Sequence, residues 1–593
     1  MRIKWFSLVR ITGLVLVLLY HFFKNTFPGG FVGVDIFFTF SGYLITALLI
    51  DEFARSSKID LLAFYKRRFY RIVPPLVLMV LLTIPFVFLV RSDFRANIGQ
   101  QILAALGFTT NFYEILTGSS YESQFIPHLF VHTWSLAIEV HFYLLWGFLV
   151  WWLSRTVKTQ QRLRGQIFIL SLGFFLVSYL SMFVRSFFAA NLSSIYFSTL
   201  SHIFPFFLGS ALATLSGVKE TMGQFRRTVA RWSLRRAILT MVVSGVGLAF
   251  LTFFLQFESQ LTYLFGFLLA SLLASNMIYG ARVLHEKTPN VSEPFLVTFF
   301  SDISYGLYLF HWPFYVIFSQ IVDNWYAVFL TMLFSIIFSS LSFYIIEPYI
   351  AGKTPQLWSI DIDLSPYRKW FVAIVSVLGG ITVLTMATAP AMGNFESELL
   401  VNSLGQAQTS LNRTHTLLAG DANALSDVTV IGDSVALRSS AAFAADMPEA
   451  QLDAAVSRNF EGAYEIFEQS IQADSLSQIV VLAVGVNSLD NYQAELQQFI
   501  DKLPSGHRLV LVSPYNAKNL SAVKNVRDYE LELAKKYPYV TVADWYQTAI
   551  DNPAIWLGSD GVHYSDSDDT GASLYVKTIN DAVKKAAKQE AKP

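Results

Sequence analysis

The chain has 593 residues, 53% of them hydrophobic and only 15% charged, far from the balance of a soluble globular protein. Its formal net charge is zero, which excludes a bulk electrostatic pull on nucleic acid, and no nucleic-acid partner is expected. It contains no Cys, which removes disulfides, thiolate nucleophiles and Cys-ligated metals together, and no metal is expected.

The N-terminus, MRIKWFSLVRITGLVLVLLYHFF, joins a basic start to an apolar run. No small-residue cleavage site follows, so it reads as a retained first span. Apolar stretches long enough to cross a bilayer fall near 7–23, 30–50, 73–90, 134–154, 166–184, 200–216, 236–255, 261–279, 303–321, 327–350 and 370–390, about eleven spans. The stretch 99–115 is too polar to count and is expected at an interface. The connections at 51–72, 155–165 and 217–236 are rich in Lys and Arg, whereas alternate loops are nearly bare. The positive-inside rule makes the basic loops cytoplasmic, which puts the N-terminus inside and everything after about residue 390 outside.

From 391 the composition turns polar, and 392–426 reads as an extracellular linker. Beyond it, VTVIGDS, QIVVLAVGVN, RLVLVSPYN and YVTVADW are strand-like runs alternating with helical ones. That alternation predicts a parallel sheet with helices on both faces. The expected architecture is a polytopic α-helical membrane bundle followed by an α/β domain. Its parts are 1–350 (membrane domain), 351–391 (cytoplasmic loop and last span), 392–426 (linker) and 427–593 (α/β domain).

Three pieces of the last part stand in order: GDS at 432–434, GVN at 485–487 and DGVH at 560–563. Gly-Asp-Ser alone is common turn chemistry. In an open parallel sheet, however, the carboxyl ends of the strands converge on one crevice, so the three pieces can meet. A serine hydroxyl needs a base, and the base needs a third group to fix its tautomer. Ser434 is the candidate nucleophile, and His563 and Asp560 supply base and orienter from one loop. Asn487 offers a side-chain N–H to a developing oxyanion beside the backbone N–H of Ser434. A metal site is the poorer reading of the Asp/His pair, with no further His near it in sequence.

These motifs resemble the SGNH hydrolase family. The resemblance implies Ser434 as nucleophile, Asp560 and His563 completing the triad, and Asn487 with a second-block residue building the oxyanion hole. The second block departs from the family pattern: AAVSRNFEGA offers the N–H of Ser457 or of Gly462.

Ionisable residues inside spans default to functional hypotheses. Arg10 and His21 lie eleven residues apart in the first span. Eleven helical steps return to within about 20° of one face, roughly 16 Å further along. Asp35 in the second span and His132 at the mouth of the fourth are expected at a depth like that of His21, with Glu139 and His141 deeper. Together they predict an acid/base cluster. The alternative is hydrogen-bonded glue between helices, an even match for Glu139, His141, Glu347 and the mid-span His311. Arg67, Arg68 and Arg71 fall on nearby helical positions, which suits either topology or phosphate binding.

The Arg10–His21 spacing, GGFVGVDIFFTFSGYLIT, FYKRRFYRIVPP, HTWSLAIEVHFYLL, ISYGLYLFHWPF and YIIEPYI together resemble the acyltransferase-3 family of integral membrane acyltransferases. Fused to an SGNH-like domain, the whole chain is similar to peptidoglycan O-acetyltransferases of the OatA type. The resemblance implies acetyl-CoA as donor on the cytoplasmic side, with Arg10, Arg67, Arg68 and Arg71 as candidates for its phosphates. It implies His21 assisting passage, Ser434 carrying the acetyl group outside, and transfer to the C6 hydroxyl of a peptidoglycan amino sugar, N-acetylmuramic acid favoured, in the plasma membrane of a Gram-positive bacterium. Rival readings are an O-acyltransferase for another envelope polysaccharide, a carbohydrate O-acetyl esterase, and a transporter with an outer binding domain.

Overall fold

The structure, a computed structural model, describes residues 3–117, 128–189, 191–218, 221–357, 360–394, 397–406, 428–489, 491–517, 519–556, 559–565 and 570–593. The chain divides into two compact units, Met1–Ala391 and Met392–Pro593.

The first unit is helical. Among the described residues, nine helical stretches are long and apolar enough to cross a bilayer. Two further expected spans fall on the 17-residue helix α1 (Phe6–Phe22) and on the helix Phe295–Phe318, whose apolar run is broken by Asp302 and His311. Stretch 99–115 forms two short helices, Ile98–Leu106 and Thr110–Leu116, instead of a span. Many long apolar side chains, Ile169, Leu176, Val246 and Phe250 among them, point outward from the bundle. A face of that composition is stable against lipid and not against water. The protein is a membrane protein.

Glycines set the closest helix contact. In α2 (Gly33–Ser56) and the helix Phe204–Ser216, Gly42 and Gly209 face each other's neighbours. A Cβ on Gly209 would lie 1.9 Å from the Thr39 carbonyl oxygen, and one on Gly42 2.0 Å from that of Phe206. Only hydrogen fits, and the backbones approach accordingly. Helix α3 (Leu61–Thr83) carries the arginine run, and Asp60 caps it by accepting from the Ala63 N–H. After residue 350 come a two-stranded hairpin, β1 (Gln356–Leu357) and β2 (Ile360–Asp361), and the helix Arg368–Thr388.

The second unit holds five parallel strands: β3 (Val428–Gly432), β4 (Ala450–Ala454), β5 (Ile479–Ala483), β6 (Arg508–Val512) and β7 (Val540–Ala543). Their order is β4-β3-β5-β6-β7. Strands β3 and β5 are buried along their whole length, in keeping with their Val-, Ile- and Leu-rich sequences and with strands covered on both faces. Helices Phe460–Gln472 and Tyr492–Lys502 supply Phe460, Phe467, Leu496 and Phe499 to the core. The chain leaves β3 for β4 on one side and then crosses back to β5 on the other. The crevice beyond the carboxyl ends of β3 and β5 is therefore the switch point where α/β sheets place ligands. Of the expected linker 392–426, residues 395–396 and 407–426 lie outside the described residues.

Candidate functional site

At that crevice β3 ends in Gly432. A Cβ there would sit 2.3 Å from the Ala436 Cβ, so glycine alone lets the chain turn straight into the short helix Ser434–Arg438. Asp433 fixes the turn by accepting from the Val435 N–H at 2.9 Å. Burial raises the Asp433 carboxyl to about 6, against the pull of its backbone hydrogen bonds and of His563.

Ser434 Oγ lies 2.8 Å from His563 Nε2, and His563 Nδ1 lies 2.8 Å from Asp560 Oδ2. Asp560 Oδ1 also accepts from the N–H groups of Val562 and His563 at 2.8 and 2.7 Å. Burial would raise the Asp560 carboxyl, but the hydrogen bonds and charge of His563, with the two backbone N–H groups, hold it well below the usual carboxylate range. An ionised Asp560 keeps the hydrogen on His563 Nδ1, so Nε2 offers its lone pair to the serine hydroxyl. Ser434 is 2% exposed and His563 1%, which keeps bulk water from loosening the pair. The loop needs Gly561, at φ +83°, because it packs on Ala517, whose N–H donates to the Gly561 carbonyl at 2.8 Å. Such a relay can deprotonate a serine as it attacks a carbonyl carbon.

The second block clarifies one alternative. The Gly462 N–H is used inside its own helix, donating to Asn459 Oδ1 at 2.9 Å, and is not an oxyanion donor. Ser457 sits on the exposed turn after β4 at φ +57°, and its N–H meets no acceptor among the described residues. Asn487 Nδ2 donates to the Arg458 carbonyl at 3.2 Å, which uses one of its two hydrogens and leaves the other. Arg458 escaped the sequence reading. Its guanidinium donates to the carbonyls of Gly432 and Asp453 and to the Asp453 carboxylate, tying the ends of β3 and β4 beneath Asn487.

The membrane unit holds a second polar centre. A cavity of about 160 Å³ is lined by Arg10, Ser41, Arg68, Arg71, Glu139 and Tyr143, with apolar neighbours. Ser41 Oγ donates to Glu139 at 2.6 Å, Tyr143 donates to the same carboxylate, and the two hydroxyl oxygens lie 2.7 Å apart. The arginine run splits: Arg68 and Arg71 reach the cavity, whereas Arg67, half exposed, pairs with Glu52 at 2.8 Å. Arg71 also pairs with Glu347 at 3.1 Å.

The expected cluster of histidines and carboxylates forms differently. His21 Nδ1 lies 2.8 Å from His311 Nε2, and the His132 ring stands 6.0 Å from that of His311. Asp35 is not among them. It pairs instead with the fully buried His202 at 3.2 Å, a partner with no sequence signal. The azimuth of Asp35 on α2 decides its partner. Glu139 faces the cavity, while His141 contacts Thr199 and Phe112, since two helical steps turn a side chain about 200°.

The sequence model of the family described as "Acyltransferase domain" matches residues 3–347, more than half of the chain. O-acetyltransferase OatA of Staphylococcus aureus strain MRSA252 is 26% identical over 94% of this chain and 92% of its own length. The OatA of strain NCTC 8325 matches to the same extent. Among solved structures, the C-terminal catalytic domain of Streptococcus pneumoniae peptidoglycan O-acetyltransferase A, carrying a methylsulfonyl adduct, is 38% identical. It covers 28% of this chain and 97% of its own, with a TM-score of 0.28. The chain thus belongs to the acyltransferase-3 family and is a membrane O-acetyltransferase.

Proposed function

We propose that this protein moves acetyl groups from cytoplasmic acetyl-CoA across the membrane and transfers them, through an acetyl-Ser434 intermediate, to the C6 hydroxyl of a peptidoglycan amino sugar, N-acetylmuramic acid favoured. The observation that carries the reading is the Ser434–His563–Asp560 hydrogen-bond relay on the same chain as an acyltransferase bundle. Relatives named O-acetyltransferase OatA, and one named a peptidoglycan O-acetyltransferase, supply the acceptor class and suggest a Gram-positive source.

In this reading Arg10, Arg68 and Arg71 receive the donor's phosphates at the cavity, and His21 handles the proton of the intramembrane step. Arg67 is an outer contact at most, because Glu52 already holds it. Ser434 attacks the carbonyl of the arriving acetyl ester as His563 takes its proton, and His563 returns that proton to the departing carrier alkoxide as the ester bond breaks. The Ser434 N–H, the second Asn487 hydrogen and the Ser457 N–H are the oxyanion donors. His563 then deprotonates the sugar hydroxyl that displaces the serine. Water competes for the same intermediate, so fusion to an acyl supply is what favours transfer over hydrolysis. The basic loops support an N-terminus inside and an α/β unit outside, where CoA is absent and an acyl supplier is needed.

The test is mass analysis of muropeptides from cells with the wild-type chain, Ser434→Ala, or neither. Acetylated muropeptides only with wild type support the reading. Acetylation undiminished by Ser434→Ala removes the acyl-serine, and acetyl groups appearing on another polymer correct the acceptor.

A further inference from the structure

His21 and His311 touch through ring nitrogens, and a third contact decides which nitrogen carries the hydrogen. His311 Nδ1 lies 3.1 Å from the Leu307 carbonyl oxygen, one turn back on the same helix. A carbonyl can only accept, so the His311 hydrogen is on Nδ1 and its Nε2 bears the lone pair. That lone pair faces His21 Nδ1 at 2.8 Å, so His21 Nδ1 is the donor. In a neutral ring the His21 lone pair is then on Nε2.

His132 leaves this order intact. His132 Nε2 lies 2.9 Å from the Leu309 carbonyl and donates to it, so His132 does not compete for His21. The rings of Tyr20, Tyr308 and Trp312 enclose the pair, and Trp312 directs its indole N–H to the His128 carbonyl. His311 is fully buried, and its ring lies within 16° of parallel to that of His21 at 5.0 Å between centroids, edge to edge, which fixes orientation as well as tautomer.

We propose that His311 is the positioning residue of the intramembrane step. It holds His21 in the Nδ1–H form, and His21 Nε2 is the atom that takes the proton of the attacking alcohol, a hydroxyl-bearing carrier that leaves as the acetyl ester later attacked by Ser434. As the alcohol oxygen bonds the thioester carbonyl carbon, the carbon–sulfur bond breaks, and the proton on Nε2 passes to the leaving thiolate. While His21 is protonated, the Nδ1–H bond to His311 lets the second ring share the charge. The arrangement does with an imidazole and a peptide carbonyl what a carboxylate does for His563. It rests on the reading of His21 given above.

The test uses the full-length protein in proteoliposomes with acetyl-CoA, following released CoA thiol; a chain without Cys adds no thiol of its own. His311→Ala should lower kcat by about 10²–10⁴-fold with KM for acetyl-CoA unchanged. His311→Gln, whose side-chain oxygen can accept the same hydrogen bond, should recover most of the loss. Independently of any variant, ¹⁵N-histidine NMR of the wild type should find the His21 hydrogen on Nδ1. Wild-type kcat in His311→Ala beside an inactive His21→Ala, or a His21 hydrogen found on Nε2, overturns the positioning role alone. Full activity in His21→Ala overturns the earlier reading of His21 as well.

Discussion

Asp560 and Asp433 flank one histidine and respond to acid in opposite ways. Asp560 is held low, so its contribution to stability is complete above the ordinary carboxylate range and is lost as pH falls through it. Asp433 is raised to about 6, so the folded state binds more protons than the unfolded one between about pH 4 and 6. Its stabilising share is present below that window and lost as pH rises through it. Asp433→Asn keeps the cap on Val435 and removes the buried charge. In urea melts of residues 392–593 the variant should gain on wild type from about pH 4 to 6 and hold a margin on the order of 1–3 kcal/mol above it. A margin that does not vary with pH would contradict the burial argument. Asp560→Asn should instead lower stability at neutral pH, where the Asp560 contribution is complete, and lower acetyl transfer by on the order of 10³–10⁴-fold, because Asn no longer enforces the Nδ1–H form of His563. Transfer rates measured on the same fragment with an activated acetyl ester check this. Both residues stand in motifs visible in the sequence. Asp560 was assigned from its spacing to His563, whereas Asp433 showed only as a turn residue until burial gave it a titration.

At the scale of elements, helix spacing decides what a side chain can reach. Gly209 and Gly42 let α2 and the Phe204–Ser216 helix meet backbone to backbone. Gly209→Val should destabilise the bundle by about 1–3 kcal/mol or more and lower its melting temperature in detergent. Gly173→Val, on a face where nothing lies within 4 Å, should leave it unchanged. Equal effects of the two would mean that the valine acts through something other than this crossing. The same reasoning explains why the α/β site was more legible than the membrane one. Ser434, Asn487 and the Asp560–His563 loop each follow a strand end or a tight turn, and parallel topology brings strand ends together. In the bundle, Asp35 and His21 sit on helices that pack together. Asp35 nevertheless turns to His202, while His21 meets His311, with the His132 ring beyond it.

For the molecule as a whole, the proposed direction of transfer depends on which loops face the cytoplasm. A chain with no Cys is a ready background for single-cysteine labelling. In intact cells an impermeant maleimide should label Gln256→Cys and Lys588→Cys, both exposed, and should label the exposed Arg162→Cys only after permeabilisation. Labelling of Arg162→Cys in intact cells would reverse the topology and remove the route to an outer acceptor. The sequence by itself determined the membrane class, the parallel α/β unit and the Ser434–His563–Asp560 set, because hydrophobic run length, strand alternation and loop spacing are local quantities. Tertiary structure alone decided which nitrogen of His21 bears the lone pair, which arginines reach the cavity and where Asp35 goes. Those depend on how helices rotate and cross, and that is settled by packing among residues hundreds of positions apart.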